Sequence, residues 1–165
     1  MTKNIHRARP LRAVFAALAI LAASLVAAAP RASADTVACN YDASSNACLS
    51  FEYTPYLANP HVGLDVWMPE QYAREIVACG AHLQASLWGD DPGPDQFIRS
   101  LSIAPGWPIA QSTGLAVNFW GPLLDPRVLN EDEDSDDELY ARISFLDCHT
   151  GAYRNFTTGI FRGYF

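Results

Sequence analysis

The feature of this sequence that most constrains its fold is the alternation of apolar and polar residues over short runs. In the clearest run, Leu139, Ala141, Ile143 and Phe145 are each separated by one residue of different character. Because successive side chains of a strand point to opposite faces, this period of two predicts a strand with one buried face. Further strand candidates lie at residues 51–53, 61–68, 83–88, 97–103, 115–120 and 154–165.

One short helix is predicted between these strands. Pro69 suits the first turn of a helix and Gly80 suits the residue after its C-terminus, which predicts a helix over about residues 70–79. Six or seven short strands with turn-rich segments between them predict a mainly β fold, an antiparallel β-sandwich with the helix at an end or side. Residues 35–50, which are small and polar, are expected to form an N-terminal arm, and residues 121–137 to lack regular structure.

The first 34 residues have the pattern of a secretory signal peptide. Residues 1–12 carry basic side chains, residues 14–29 are apolar, and residues 32–34 offer small side chains at a cleavage site. The apolar run is shorter than the roughly 20 residues that span a bilayer, which argues against a membrane anchor. We expect cleavage after Ala34, an extracellular location and a single mature domain of residues 35–165.

The charge of the chain is divided unevenly along its length. The whole sequence has 11 basic and 18 acidic side chains, but every acidic residue follows Ala34, together with only 6 of the basic ones. The mature chain therefore carries a formal charge of −12. Such a surface repels phosphate groups, so we expect neither nucleic acid nor, after cleavage, a membrane as partner.

Four cysteines in an exported chain indicate two disulfides, because the protein meets an oxidising environment. The residues are Cys39, Cys48, Cys79 and Cys148, and three pairings are open. We favour Cys39 with Cys48, closing a local loop, and Cys79 with Cys148, joining distant segments. A zinc site or a redox pair is the alternative, but the chain contains no C-x-x-C motif.

Residues 131–138 contain seven carboxylates in eight positions. Calcium takes about six to eight oxygen ligands, so this run and the acidic loop at residues 89–95 are candidates to share an ion at one end of the fold. The run is not a helix-loop-helix calcium loop, since Asp137 and Ile143 stand where that motif has glycine and glutamate. The candidate ligands are Asp90, Asp91, Asp95, Asp132, Asp134 and Asp136. The alternative is a solvated loop.

The sequence carries no hydrolase, zinc-protease or nucleotide-binding motif. The mature histidines are His61, His82 and His149, and the isolated glutamates are Glu52, Glu70 and Glu75. Neither set has a spacing that supports a metal site or a pair of catalytic carboxyls.

Aromatic residues are the remaining candidates for function. Trp67, Trp88, Trp107 and Trp120 are either core residues or part of a binding surface, and Trp107, in a loop, is expected to be the most exposed. We expect a non-enzymatic extracellular module that binds a protein or a glycan, with no cofactor unless calcium occupies the acidic loops. The alternative is a small secreted hydrolase with a carboxylate or histidine site.

Overall fold

The computed structural model describes residues 37–54, 56–129 and 137–163. This part of the chain contains ten strands, one α-helix and one 3-10 turn. The strands are β1 (Val37–Tyr41), β2 (Ser45–Tyr53), β3 (Ala58–Trp67), β4 (His82–Gly89), β5 (Gln96–Ile103), β6 (Ile109–Gln111), β7 (Gly114–Trp120), β8 (Asp137–Leu146), β9 (Tyr153–Thr157) and β10 (Phe161–Gly163). The helix is α1 (Glu70–Cys79), and the 3-10 turn is Pro126–Val128. In the described ranges no helix has the length and apolar character needed to cross a membrane.

The strands form one antiparallel sheet in the order β1-β2-β3-β7-β5-β4-β8-β10, with β6 added to β7 and β9 added to β8. Strand β5 joins the two halves of this sheet. Its residues up to Leu101 pair with β4, whereas Ser102 and Ile103 pair with β7. The two layers expected of a sandwich are therefore continuous through β5.

The two ends of the sheet come close to each other, so that it is nearly closed. Gly159, between β9 and β10, lies so near β1 that an added Cβ would be 2.8 Å from the carbonyl oxygen of Cys39. Arg154 of β9 donates a hydrogen bond of 2.8 Å to the Ser44 hydroxyl in the β1–β2 turn. Near closure covers strand edges that would otherwise offer unpaired backbone groups.

The core fills the inside of this curved sheet. On β8, the apolar members of the alternation, from Leu139 to Phe145, are 1% exposed or less. Helix α1 packs against the core through Ala73 and Ile76, both fully buried. It ends at Gly80, whose left-handed backbone (φ 74°) brings its N–H to the Val77 carbonyl.

The predicted fold class is confirmed in its main features. The fold is mainly β and antiparallel, its one α-helix has the predicted bounds, and the disulfides are Cys39–Cys48 and Cys79–Cys148. The strand count is higher than expected, ten in the described residues instead of six or seven. The signal-peptide prediction falls on residues 1–34, outside the described residues.

Of the three additional strands, β1 lies in the segment expected to be an N-terminal arm, β6 lies in a predicted loop, and the last predicted strand divides into β9 and β10. Residues 37–50 instead form β1 and most of β2. The buried face of β2 begins with Ser45 and Ala47. Because serine is polar and alanine is small, the alternation of large apolar and polar residues that marks a strand is absent here. Cys39 lies directly opposite Cys48, so the first disulfide joins two paired strands.

The segment 121–137 also contains more structure than predicted. Leu124 forms a bridge with Ala58, and the Asp125 carboxylate accepts the Arg127 N–H at the start of the 3-10 turn. Strand β8 already begins at Asp137. Short polar caps and single bridges of this kind have no hydrophobic period and so escape a pattern-based prediction.

Candidate functional site

A groove of about 690 Å³ lies on the outer face of strands β5, β4, β8 and β9. We call it the polar groove, because its non-core lining consists mostly of uncharged polar side chains. These are Gln84, Ser86, Ser100, Ser102, Ser144 and Asn155. They alternate along their strands with core residues such as Leu83 and Ile143, which places them on the outer face.

Strand register brings these side chains into rows across the sheet. Ser86 of β4 is paired with Ser100 of β5 on one side and with Arg142 of β8 on the other. One row away, Ser144 of β8 lies between Gln84 of β4 and Asn155 of β9. Directly opposed residues of antiparallel strands have Cβ atoms about 5 Å apart, so each row is a continuous line of polar groups.

Several of these polar groups have no side-chain hydrogen bond within the described ranges. Ser86 Oγ accepts from Trp88 Nε1 at 2.8 Å, and Gln84 Nε2 lies 2.9 Å from His82 Nε2. The other lining side chains, those of Ser100, Ser102, Ser144 and Asn155, have no protein partner in the described part. The groove therefore presents hydroxyl and amide groups that are free to bind a ligand.

One end of the polar groove is organised around Arg142. Its guanidinium lies 4.3 Å from the ring centre of Trp88 and 5.2 Å from that of Tyr140. It is paired with the Asp95 carboxylate, which also accepts a 2.7 Å hydrogen bond from the Tyr140 hydroxyl. Burial, together with this hydrogen bond, raises the pKa of Tyr140 to about 12. The only charged side chain among the described lining residues is thus held in place and paired.

Exposed aromatic rings flank the groove. Phe97, 51% exposed, packs edge-on against Trp88 with ring centres 5.3 Å apart. Tyr153, 63% exposed, lies at the other end on β9, and Trp120, 44% exposed, is paired with Ser102. The expectation that Trp107 would be the most exposed tryptophan is wrong, since it is only half-buried while Trp120 is exposed.

The predicted acidic ligands are only partly brought together. The Asp90 N–H donates to the Glu138 carbonyl oxygen at 2.7 Å, so the loop after β4 and the start of β8 lie at the same end of the fold. Asp95, however, is engaged by Tyr140 and Arg142. Asp90, Asp91 and Asp95 do not form a cluster of ligand atoms within 4.8 Å. Asp132, Asp134 and Asp136 lie outside the described residues, so the calcium site stays a prediction.

The cluster of potential ligand atoms that the described residues do contain involves Cys79, Cys148 and His149. Both cysteines are joined in the second disulfide, so their sulfur atoms are not available as thiolate ligands. This group is therefore a poor metal site.

The carboxylate of Asp147, next to Cys148 in the sequence, organises the turn after β8. Asp147 accepts the Tyr72 hydroxyl at 2.6 Å and the His149 N–H at 2.8 Å. Burial by itself would raise the pKa of Asp147, but these hydrogen bonds outweigh it and hold the pKa below the usual value.

The remaining predicted residues are at least partly exposed and, within the described structure, do not converge on one site. His61 Nε2 lies 3.6 Å from the Glu52 carboxylate. His82 is exposed on β4, and on α1 Glu70 is paired with Arg74 while Glu75 accepts from Gln71.

The polar groove was not predicted from the sequence, although part of its signal is visible there. Gln84, Ser86 and Ser144 are the polar members of the two clearest alternations. That they share one surface depends on β4 and β8 being neighbours, which the alternation does not reveal. No known protein family, curated protein or solved structure matches the chain at a significant level.

Proposed function

We propose that this protein is a secreted, non-enzymatic binding module and that the polar groove is its binding face. The observation that carries the proposal is the combination of free hydroxyl and amide groups with exposed aromatic rings in one concavity. The volume of the groove falls within the range of about 300–1,000 Å³ that is usual for ligand sites.

The floor of the groove is well suited to binding because it is preformed. Strand β4 is paired on both sides, with β5 and β8, and β8 is paired with β4 and β9. A paired sheet holds its side chains in fixed positions, so little conformational entropy is lost when a ligand binds.

An extracellular location is part of the proposal. Two disulfides close loops of 9 and 69 residues, which fits an oxidising compartment. With the predicted signal sequence, this leads us to expect the protein in the culture medium with Asp35 as its first residue. N-terminal sequencing of the secreted protein tests that expectation, and retention of the uncleaved chain in cells would contradict it.

Filling the groove tests the binding function. Ser100→Arg places a long side chain in the groove at an exposed position. Binding of the labelled protein to arrays of extracellular glycans and proteins should fall at least tenfold. Ser112→Arg, at an exposed turn outside the groove, is the matched control and should leave binding unchanged. Equal binding by wild type and Ser100→Arg would reject the groove as the binding face.

A hydrolase remains the alternative function. The observation that favours it is the approach of His61 to Glu52, a histidine and a carboxylate on neighbouring strands. Both side chains are open to solvent, so this pair lacks the excluded site in which acid–base catalysis is usually found. Turnover of ester or glycoside substrates that disappears in His61→Ala would establish the alternative and reject the non-enzymatic proposal.

Calcium in the acidic loops is a separate proposal, supported by the position of Asp90 beside Glu138. Of the described carboxylates at this end, Glu138 is already paired with Arg162. A site that binds calcium only in the folded state would add about 2.7 kcal/mol at 100 times its Kd. Melting temperatures in millimolar calcium and in EDTA should then differ by several degrees, and equal values would leave residues 131–138 as a solvated run.

A further inference from the structure

We infer that the ligand of the polar groove is a neutral oligosaccharide, an inference that rests on the binding function proposed above. Three properties of the groove support this ligand class: its charge, the type of its hydrogen-bonding groups and the position of its aromatic rings.

The charge of the groove disfavours strongly ionic ligands. Arg142 is the only charged residue of the described lining, and although its side chain is 44% exposed, it is paired with Asp95 and stacked on Trp88. An anion would need a free cation, and a cation would need a free carboxylate. The predicted mature chain, with its charge of −12, also repels anions at long range.

The hydrogen-bonding groups of the groove match those of a sugar. Serine hydroxyls and the side-chain amide of Asn155 can both donate and accept. Sugar hydroxyls have the same double capacity, so rows of such groups satisfy a saccharide without requiring ionised partners. In the described structure the hydroxyls of Ser100, Ser102 and Ser144 make no hydrogen bond to another side chain, so they provide three of these groups.

The aromatic rings add surfaces for the apolar C–H faces of sugar rings. From Phe97 on β5 to Tyr153 on β9 the groove crosses three strand intervals, about 14 Å, and is offset by six residues, about 20 Å along the strands. A ligand that reaches both rings is therefore elongated, which favours a chain of sugars over a single one. Trp120, beside Ser102 but on β7, offers a third ring outside this span, on the side of β5 away from β4.

A peptide fits the groove less well. Peptides that bind to sheets usually pair with a free strand edge or insert apolar anchors into pockets. Here the floor is formed by β4 and β8, whose backbones are paired on both sides, and the polar rows provide no apolar pocket.

The test is affinity electrophoresis and titration calorimetry of the disulfide-bonded protein with soluble β-glucan, xylan and galactomannan. Polygalacturonate and heparin serve as anionic probes, and an array of extended peptides serves as the peptide probe. We expect at least one neutral polysaccharide to bind and the anionic probes not to bind.

Substitution of single aromatic residues identifies the surface that binds the saccharide. Tyr153→Ala and Trp120→Ala should each weaken neutral saccharide binding by about tenfold, the effect of one lost stacking contact. Tyr153→Phe, which keeps the ring, should retain most of the affinity. Trp67→Ala is the matched control, since Trp67 is also 44% exposed but lies at the opposite end of the β3–β7 pair from Trp120. Unchanged melting temperatures show that the variants remain folded.

The possible outcomes separate this inference from the binding function itself. Binding of anionic probes alone, or of peptides alone, with loss in Ser100→Arg, would overturn the saccharide and keep the binding module. Saccharide binding that Trp67→Ala weakens as much as Trp120→Ala would overturn the groove as its site. No groove-dependent binding to any probe would overturn both.

Discussion

At the scale of single residues, the buried hydroxyl of Thr158 completes the pairing between β8 and the residue that follows β9. Its Oγ1 accepts the Ala141 N–H at 2.9 Å, while its own N–H donates to the Ala141 carbonyl at 3.0 Å. The side chain thus extends the ladder beside β8 past the end of β9. It is 5% exposed, so water cannot replace it readily.

Thr158→Val keeps the shape of this side chain but removes the acceptor. The Ala141 N–H would then be buried without a partner, and we expect a loss of about 1–3 kcal/mol in the free energy of unfolding. Urea unfolding at neutral pH measures this loss. Thr158→Ser, which keeps the hydroxyl, is the control and should cost less. A valine variant as stable as wild type would show that the hydroxyl contributes nothing.

Asp147 predicts a pH dependence of stability. Its pKa in the folded protein is below the ordinary 3.8, because hydrogen bonds from Tyr72, His149 and Thr150 favour the ionised form. A depressed folded-state pKa means that the stabilisation is present above pH 3.8 and is lost as the pH falls through the lower, folded value.

Asp147→Asn should therefore be less stable than wild type at pH 7, with a difference that shrinks as the pH falls below about 4. Guanidinium unfolding between pH 7 and pH 2.5 measures both curves. A difference that stays constant over this range would mean that ionisation of Asp147 does not contribute.

At the scale of secondary-structure elements, glycine is required at the ends of two elements for different physical reasons. Gly80 ends α1 with a φ of 74°, and a Cβ added there would meet no atom within 4 Å. Gly114 begins β7 with a φ of 140°, and an added Cβ would lie 2.1 Å from the Val66 carbonyl oxygen. The first position demands only a backbone conformation, whereas the second also demands space.

Gly80→Ala should cost about 1 kcal/mol and Gly80→Asn less, since asparagine tolerates the left-handed conformation. Gly114→Ala should cost more than about 4 kcal/mol or prevent folding, because the clash is with backbone that cannot move alone. Denaturant unfolding compares the three variants. Equal costs for the two alanine variants would contradict this distinction.

The elements that alternation predicts well are those with large apolar residues on one face. The runs at residues 83–88 and 139–145 correspond to His82–Gly89 and Asp137–Leu146, because Leu, Ile and Phe mark the buried face clearly. Strand β2 was largely missed, since Ser45 and Ala47 occupy buried positions there. Alternation in the sequence therefore identifies a strand only where large apolar side chains occupy its buried face.

The polar groove could not be predicted for a different reason. Ser86 and Arg142 lie 56 residues apart and are opposed only because β4 pairs with β8. Strand order depends on how the whole sheet closes around its core, and no local pattern contains that information. The sequence alone could predict the outward direction of these side chains, but not their common surface.

At the scale of the whole molecule, the two disulfides should contribute unequally. Cys79–Cys148 closes a loop of 69 residues and joins the end of α1 to the turn after β8, whereas Cys39–Cys48 closes one of 9 between paired strands. In the chain-entropy account the longer loop is worth about 4 kcal/mol and the shorter about 2.5 kcal/mol.

Replacing both cysteines of one pair by serine tests this order. The variant Cys79→Ser/Cys148→Ser should lose more stability than Cys39→Ser/Cys48→Ser, measured by urea unfolding under identical conditions. The reverse order would indicate that the local bridge holds native strand geometry more than it restricts the unfolded chain.

The near closure of the sheet also determines the order in which strand contacts can form during biosynthesis. The hydrogen bond between Ser44 and Arg154 joins residues 110 apart, so the first strands leave the ribosome long before the strands that will cover their edge. Contacts that span so much chain pay a large loop-closure entropy and form late. A nascent chain that stops before β9 therefore keeps open strand edges, so the segment 153–163, which contains β9 and β10, converts an aggregation-prone intermediate into a nearly closed sheet.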